Sequence, residues 1–200
     1  MLVEFSENRN LREFDDNDHS DFLEFCASHT YEVGLYSFPH QGSHFFLAAK
    51  RSPENDDSTN VNCPALMAFA SLEGNKKFFH VPDGTINELP FFPLGSANLN
   101  SIFTAMESAT PIDEDDYDLT SNTCAHFAVG LARSIGFDKT PELANFIVDN
   151  LLRDGGFLQV AQGSIWTGGL RVLLSLTEDG GIEAFTKELV ASQLDMIWSA

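Results

Sequence analysis

The chain has 200 residues, with 11 Lys+Arg against 30 Asp+Glu and a formal net charge of −19 with His neutral. Hydrophobic residues make up 43%, enough for a sizeable core, which excludes a wholly disordered chain and at this length favours one domain. A surface this acidic repels phosphate backbones and anionic headgroups, so no nucleic acid and no membrane surface is expected as a partner, and basic or neutral partners stay open.

The opening segment, Met1 to Glu7, has no basic stretch followed by a long apolar run, so no secretory signal is expected. No segment approaches the ~18 consecutive apolar residues of a membrane-spanning helix. Cys26, Cys63 and Cys124 stand at spacings of 37 and 61, which match no disulfide framework. With neither CxxC nor HExxH present, no zinc site is expected. Reduced thiols in a cytoplasmic or nuclear protein, with no cofactor, is the simplest expectation.

Residues 1–20 are polar and acidic and read as an N-terminal arm, either loose or forming an edge strand and loop. Ser20 or Asp21 starts a helix with Phe22, Phe25, Cys26 and His29 on one face. Tyr31 to Phe38 reads as a strand, followed by the turn Pro39-His40-Gln41-Gly42. His44 to Lys50 is apolar on both faces and reads as a central strand. Residues 51–64 form a polar loop, Ala65 to Leu72 a third strand, Gly74-Asn75 a turn, and Lys77 to Val81 a fourth strand stopped by Pro82-Asp83-Gly84. Short turns between these strands predict an antiparallel sheet.

The second half changes to helical period. Leu99, Ile102, Phe103 and Met106 share a face, with Ser96 as the expected cap. The acidic run at 113–116 reads as a solvated loop. Cys124, Phe127, Ala128, Leu131, Ala132 and Ile135 form a second stripe, capped by Ser121 or Asn122 and ended by Gly136. Thr140-Pro141 opens a third helix with Leu143, Ala144, Ile147 and Leu151 on its apolar face. Further helices are expected around 164–176 and 181–198.

Cys124 is the candidate nucleophile. A helix N-terminus carries roughly half a positive charge and unpaired N–H groups, which favour a thiolate and stabilise an oxyanion. Its place beside Phe127, Ala128 and Leu131 is explained equally well by a packed, inert thiol. A thiolate needs a base, most often His. His44 opens a strand and is the first candidate. His80 shares a face with Phe78 and is a possible orienter or a core histidine. His126, two residues past Cys124, points about 200° around the helix. His40, in the turn, is an alternative base, and His19 and His29 have no supporting context.

The order of a strand histidine followed by a helix-start cysteine resembles the permuted papain-like thiol hydrolases. The segment Tyr117-Asp-Leu-Thr-Ser-Asn-Thr-Cys-Ala-His-Phe127 is similar to the nucleophile helix of two branches: the PPPDE (deSUMOylating isopeptidase-like) peptidases and the lecithin retinol acyltransferase-like, NlpC-related enzymes. Gly42-Ser43-His44-Phe-Phe-Leu resembles their histidine strand, and Phe78-Phe79-His80-Val81 the strand that carries a third polar residue. Thr123 stands where the family has Asn directly before the cysteine, with Asn122 one place earlier.

The resemblance covers about residues 31–152 and implies an α+β fold, a small antiparallel sheet packed against the nucleophile-bearing helix, and a protein or peptide substrate. The domain is expected over 21–155, and residues 156–200, which lie outside the resemblance, read from their own pattern as a C-terminal helical extension packed on it. The resemblance also implies a cysteine peptidase cleaving an amide, isopeptide or acyl bond, with Cys124 as nucleophile, His44 as base, His80 as orienter, and Asn122 with the Cys124 N–H as oxyanion donors. The alternative is an inactive papain-like domain that binds a basic protein.

Overall fold

The computed structural model describes residues 12–13, 24, 26–38, 44–52, 63–72, 75–81, 86, 89–110, 124–153 and 181–199. The expected turns at 39–42 and 82–84, the acidic run at 113–116, Asn122 and the helix around 164–176 lie outside them. The elements are β1 (Arg12–Glu13), β2 (Thr30–Phe38), β3 (His44–Arg51), β4 (Leu66–Leu72), β5 (Asn75–His80), β6 (Phe91–Asn98), α1 (Leu99–Ser108), α2 (Cys124–Ile135), α3 (Pro141–Arg153) and α4 (Gly181–Ser199).

The strands form one antiparallel sheet in the order β1-β5-β4-β3-β2-β6, so the α+β class holds. β3 is central, as its sequence requires. Phe45, Leu47 and Ala49 lie in the main core with the helices, while Phe46 and Ala48 lie in a second cluster. That second cluster is closed by Val81, Ile86 and Leu89 from the β5–β6 connection, so both faces of β3 are covered. From the N-terminal arm, Arg12 and Glu13 extend the sheet at its β5 edge.

β6 is an element that sequence reasoning left out. Pro93 and Gly95 read as breakers, but β6 is an edge strand with one partner, where proline is tolerated. The β2–β6 register slips between Val33 and Gly34, and Gly95 takes φ +143° at that slip. β6 runs directly into α1, and the expected cap is corrected: Asn98, not Ser96, accepts from the Ser101 N–H at 2.8 Å. Ser96 lies inside the strand, opposite Glu32.

α2 begins at Cys124 and buries Phe127, Ala128, Leu131 and Ala132 against the sheet, as its stripe predicts. Gly136 ends it with φ +106°. The N–H of Gly136 returns to Arg133 O and that of Phe137 to Ala132 O, which satisfies the carbonyls a helix end leaves open. The Thr140 hydroxyl accepts from the Leu143 N–H at 3.1 Å and caps α3. Val190 and Leu194 of α4 enter the main core, Trp198 Nε1 donates to Phe137 O, and Asp195 pairs with Lys139. No helix among the described residues is long and apolar enough to cross a membrane.

Candidate active site

Cys124 is half-buried at the first position of α2, and its Sγ accepts from the backbone N–H of Phe45 at 3.5 Å. The strand geometry explains that contact. In an antiparallel strand the N–H and C=O of a residue point to the same side, and neighbouring residues alternate. Arg51 N–H donates to Ala65 O beside β4, whereas Ser52 N–H donates to Thr30 O beside β2. Phe45 has the parity of Arg51, so its N–H points toward β4. The β3–β4 ladder, however, stops at Leu47 opposite Phe69, while β4 runs on with β5 to Leu72 opposite Asn75. The two strands part there, and the sulfur takes the place of the missing ladder acceptor.

Cys124 packs as a partly buried member of the main core. The Phe45 ring lies edge-on to Phe146 of α3 at 6.5 Å, and Phe146 also meets Phe92 of β6 at 5.9 Å. Ser37 lies opposite Phe45 in the β2–β3 register, and its fully buried hydroxyl makes no hydrogen bond among the described residues.

The sequence-predicted residues are placed unevenly around Cys124. His44 is the first residue of β3, next in the chain to Phe45, so its backbone adjoins the sulfur. Position 80 lies opposite Met67, and Met67 lies opposite Ala49. Ala49 is about 13 Å along β3 from Phe45 at the usual strand rise, so the register separates position 80 from Cys124. His126 lies on α2, its Nε2 shut off from solvent.

The other two cysteines overturn an expectation. Cys26 and Cys63 form a disulfide with Cα atoms 5.8 Å apart, so the reading of three reduced thiols is corrected and Cys124 alone stays outside a disulfide. The spacing of 37 had no pattern to match because tertiary structure makes the pair: Cys26 precedes β2 and Cys63 precedes β4. His29 joins them, its Nδ1 3.9 Å from Cys63 Sγ. The ligand atoms of Cys26, His29 and Cys63 all lie within 4.8 Å of one another, a constellation sequence reasoning missed. The sequence signal for it is the Cys26-x-x-His29 spacing, which is neither CxxC nor HExxH.

A scan of protein families, a search of curated proteins and a search of solved structures each find no match to this chain.

Proposed function

We propose that the protein is a cysteine hydrolase acting on an amide, isopeptide or acyl bond, with Cys124 as nucleophile. The observation that carries the reading is the Phe45 N–H directed at Cys124 Sγ from a strand whose first residue is His44. A backbone donor and a helix N-terminus together stabilise a thiolate, and the same donors stabilise the oxyanion formed after attack. In the proposed reaction His44 takes the thiol proton and the sulfur bonds to the carbonyl carbon. The carbon–leaving-group bond then breaks as His44 returns the proton, and water hydrolyses the thioester. Asn122 is a further proposed oxyanion donor.

A second reading has its own support. The packing of Cys124 in the main core favours a non-catalytic domain in which the sulfur closes an orphan N–H. The acidic surface then binds a basic protein.

Iodoacetamide labelling at about pH 6, well below an ordinary thiol pKa of ~8.5, separates the two readings. Because Cys26 and Cys63 are bonded, labelling reports on Cys124 alone. Fast labelling that His44→Gln slows at least about tenfold supports the hydrolase. Labelling no faster than a free thiol, and unchanged in His44→Gln, supports the binding domain.

A further inference from the structure

We infer that the chain carries a thiol-gated metal site: once the Cys26–Cys63 bond is reduced, Cys26 Sγ, Cys63 Sγ and His29 Nδ1 bind one Zn²⁺, with water as fourth ligand. The inference is independent of the chemistry proposed for Cys124.

The donor set selects the metal. Two thiolates and an imidazole suit Zn²⁺ among abundant divalent ions, and hard cations such as Mg²⁺ and Ca²⁺ prefer oxygen. Zn–S bonds of about 2.3 Å and Zn–N bonds of about 2.0 Å imply ligand-to-ligand edges of roughly 3.5–3.8 Å in a tetrahedron. The Nδ1 of His29 already stands 3.9 Å from Cys63 Sγ, and all three donor atoms lie within 4.8 Å. The two sulfurs have to part, and the His29 nitrogen has to close in on them slightly. Two thiolates neutralise the ion, which suits the buried Cys26 and Cys63, while the half-exposed His29 leaves the fourth position toward solvent.

Both ligand-bearing segments are held by bonds other than the disulfide. On one side, His29 N–H closes a turn onto Cys26 O at 2.9 Å. The start of α1 grips the same turn, through Leu99 N–H to His29 O at 3.0 Å and Asn100 N–H to Ala27 O at 3.1 Å. On the other side, Arg51 Nη1 donates to Cys63 O at 3.2 Å and the Tyr31 hydroxyl donates to Pro64 O at 3.1 Å. Reduction therefore frees two sulfurs whose backbones stay in place, and such preorganisation favours metal capture.

The exchange balances. A small dithiol reduces the Cys26–Cys63 bond by thiol–disulfide exchange, giving two thiols and the oxidised dithiol as a disulfide. Zn²⁺ then displaces the two thiol protons and forms two Zn–S bonds. An oxidised small disulfide reverses the sequence: the protein bond re-forms, the small disulfide leaves as two thiols, and Zn²⁺ is released.

The test uses the full chain, reduced with a phosphine, freed of it under argon and titrated with Co²⁺ and then Zn²⁺. One equivalent of Co²⁺ should give visible bands of a tetrahedral ion and a sulfur-to-cobalt charge-transfer band, both lost as Zn²⁺ displaces it. The oxidised protein should give neither, and bound Zn²⁺ should shield two of the three thiols from a thiol reagent. His29→Gln, which keeps the disulfide as a check of folding, should weaken Co²⁺ binding at least about tenfold. The inference is overturned if reduced protein with an intact near-ultraviolet spectrum binds no cobalt. It also fails if the oxidised protein or the Cys26→Ser/Cys63→Ser variant binds equally well, or if His29→Gln binds unchanged. Loss of fold on reduction that Zn²⁺ does not reverse counts against it as well.

Discussion

The backbone N–H of Phe45 donates to the sulfur of Cys124, and this single contact joins the first turn of α2 to the first turn-side residues of β3. It exists because β4 parts from β3 beyond the Leu47–Phe69 pair, leaving an inward-pointing donor without a ladder partner. A buried backbone donor is costly to leave unpaired, so the position needs an acceptor whether or not the thiol reacts.

Cys124→Ala removes that acceptor and a half-buried sulfur together. The expected loss of stability is about 1 kcal/mol, measured by urea denaturation. The Phe45 amide should at the same time exchange its hydrogen faster while the amide of Leu47, inside the ladder, stays protected. Unchanged exchange at Phe45 would show that the contact does not form in solution.

How much of this was legible depends on the range of the interactions. β2, β3 and β4 follow from short apolar runs bounded by turns and polar loops, with β3 apolar on both faces, and α2 from its stripe, with Gly136 at the end. β6 was hidden because Pro93 and Gly95 weigh against a strand until it is known to be an edge with a register slip. The cap of α1 was misread for a related reason: β6 runs to Asn98, which leaves Ser96 in the strand. Cys124 at a helix start was visible in the sequence, but its donor was not, because that donor depends on where a ladder between distant strands ends. The Cys26–Cys63 bond is likewise purely tertiary, although the Cys26-x-x-His29 spacing was there to be read.

Two glycines separate backbone strain from crowding. Both Gly95 (φ +143°) and Gly136 (φ +106°) occupy the region that side chains rarely adopt. A Cβ at Gly136 meets nothing within 4 Å, whereas one at Gly95 stands 3.0 Å from the Phe137 ring. Gly136→Ala should therefore cost about 1 kcal/mol, the strain alone, and Gly95→Ala roughly 2 kcal/mol or more. Equal thermal midpoints for the two variants would refute the crowding between β6 and Phe137.

Tyr36 gives β2 a pH-dependent contribution at the alkaline end. Its ring stacks on Phe46 at 5.7 Å and on Phe91 at 5.4 Å. Burial raises its phenol above the ordinary value, and Glu32 adds to the effect. Because the folded state holds the proton more tightly, the contribution is complete below the unfolded pKa of about 10 and is lost as pH rises through the folded value. Tyr36→Phe keeps the stacking and removes the ionisation. Urea midpoints between about pH 8 and 11 should fall less steeply for the variant than for the wild type. Part of the remaining fall belongs to Tyr31, whose phenol burial pushes up to about 12 against the lowering effect of Arg51. Parallel curves would rule out a role for Tyr36 in the alkaline loss.

The Cys26–Cys63 bond closes a loop across a sequence separation of 37 that contains β2 and β3, the two strands leading to the candidate site. Opening it restores freedom chiefly to the unfolded chain, and a loop of this length corresponds to about 3–4 kcal/mol. Metal-free reduced protein should therefore unfold at a lower urea concentration by that free energy, with the slope of the transition changed as the unfolded state expands. Zn²⁺ bound to the same sulfurs and to His29 would reclose the loop and recover much of the difference, by an amount that grows with the logarithm of its excess over the dissociation constant. His29→Gln supplies the control, since it leaves the disulfide-linked protein near wild-type stability while removing the recovery. A reduced chain as stable as the oxidised one would mean that the sheet and helices fix these two segments without either cross-link.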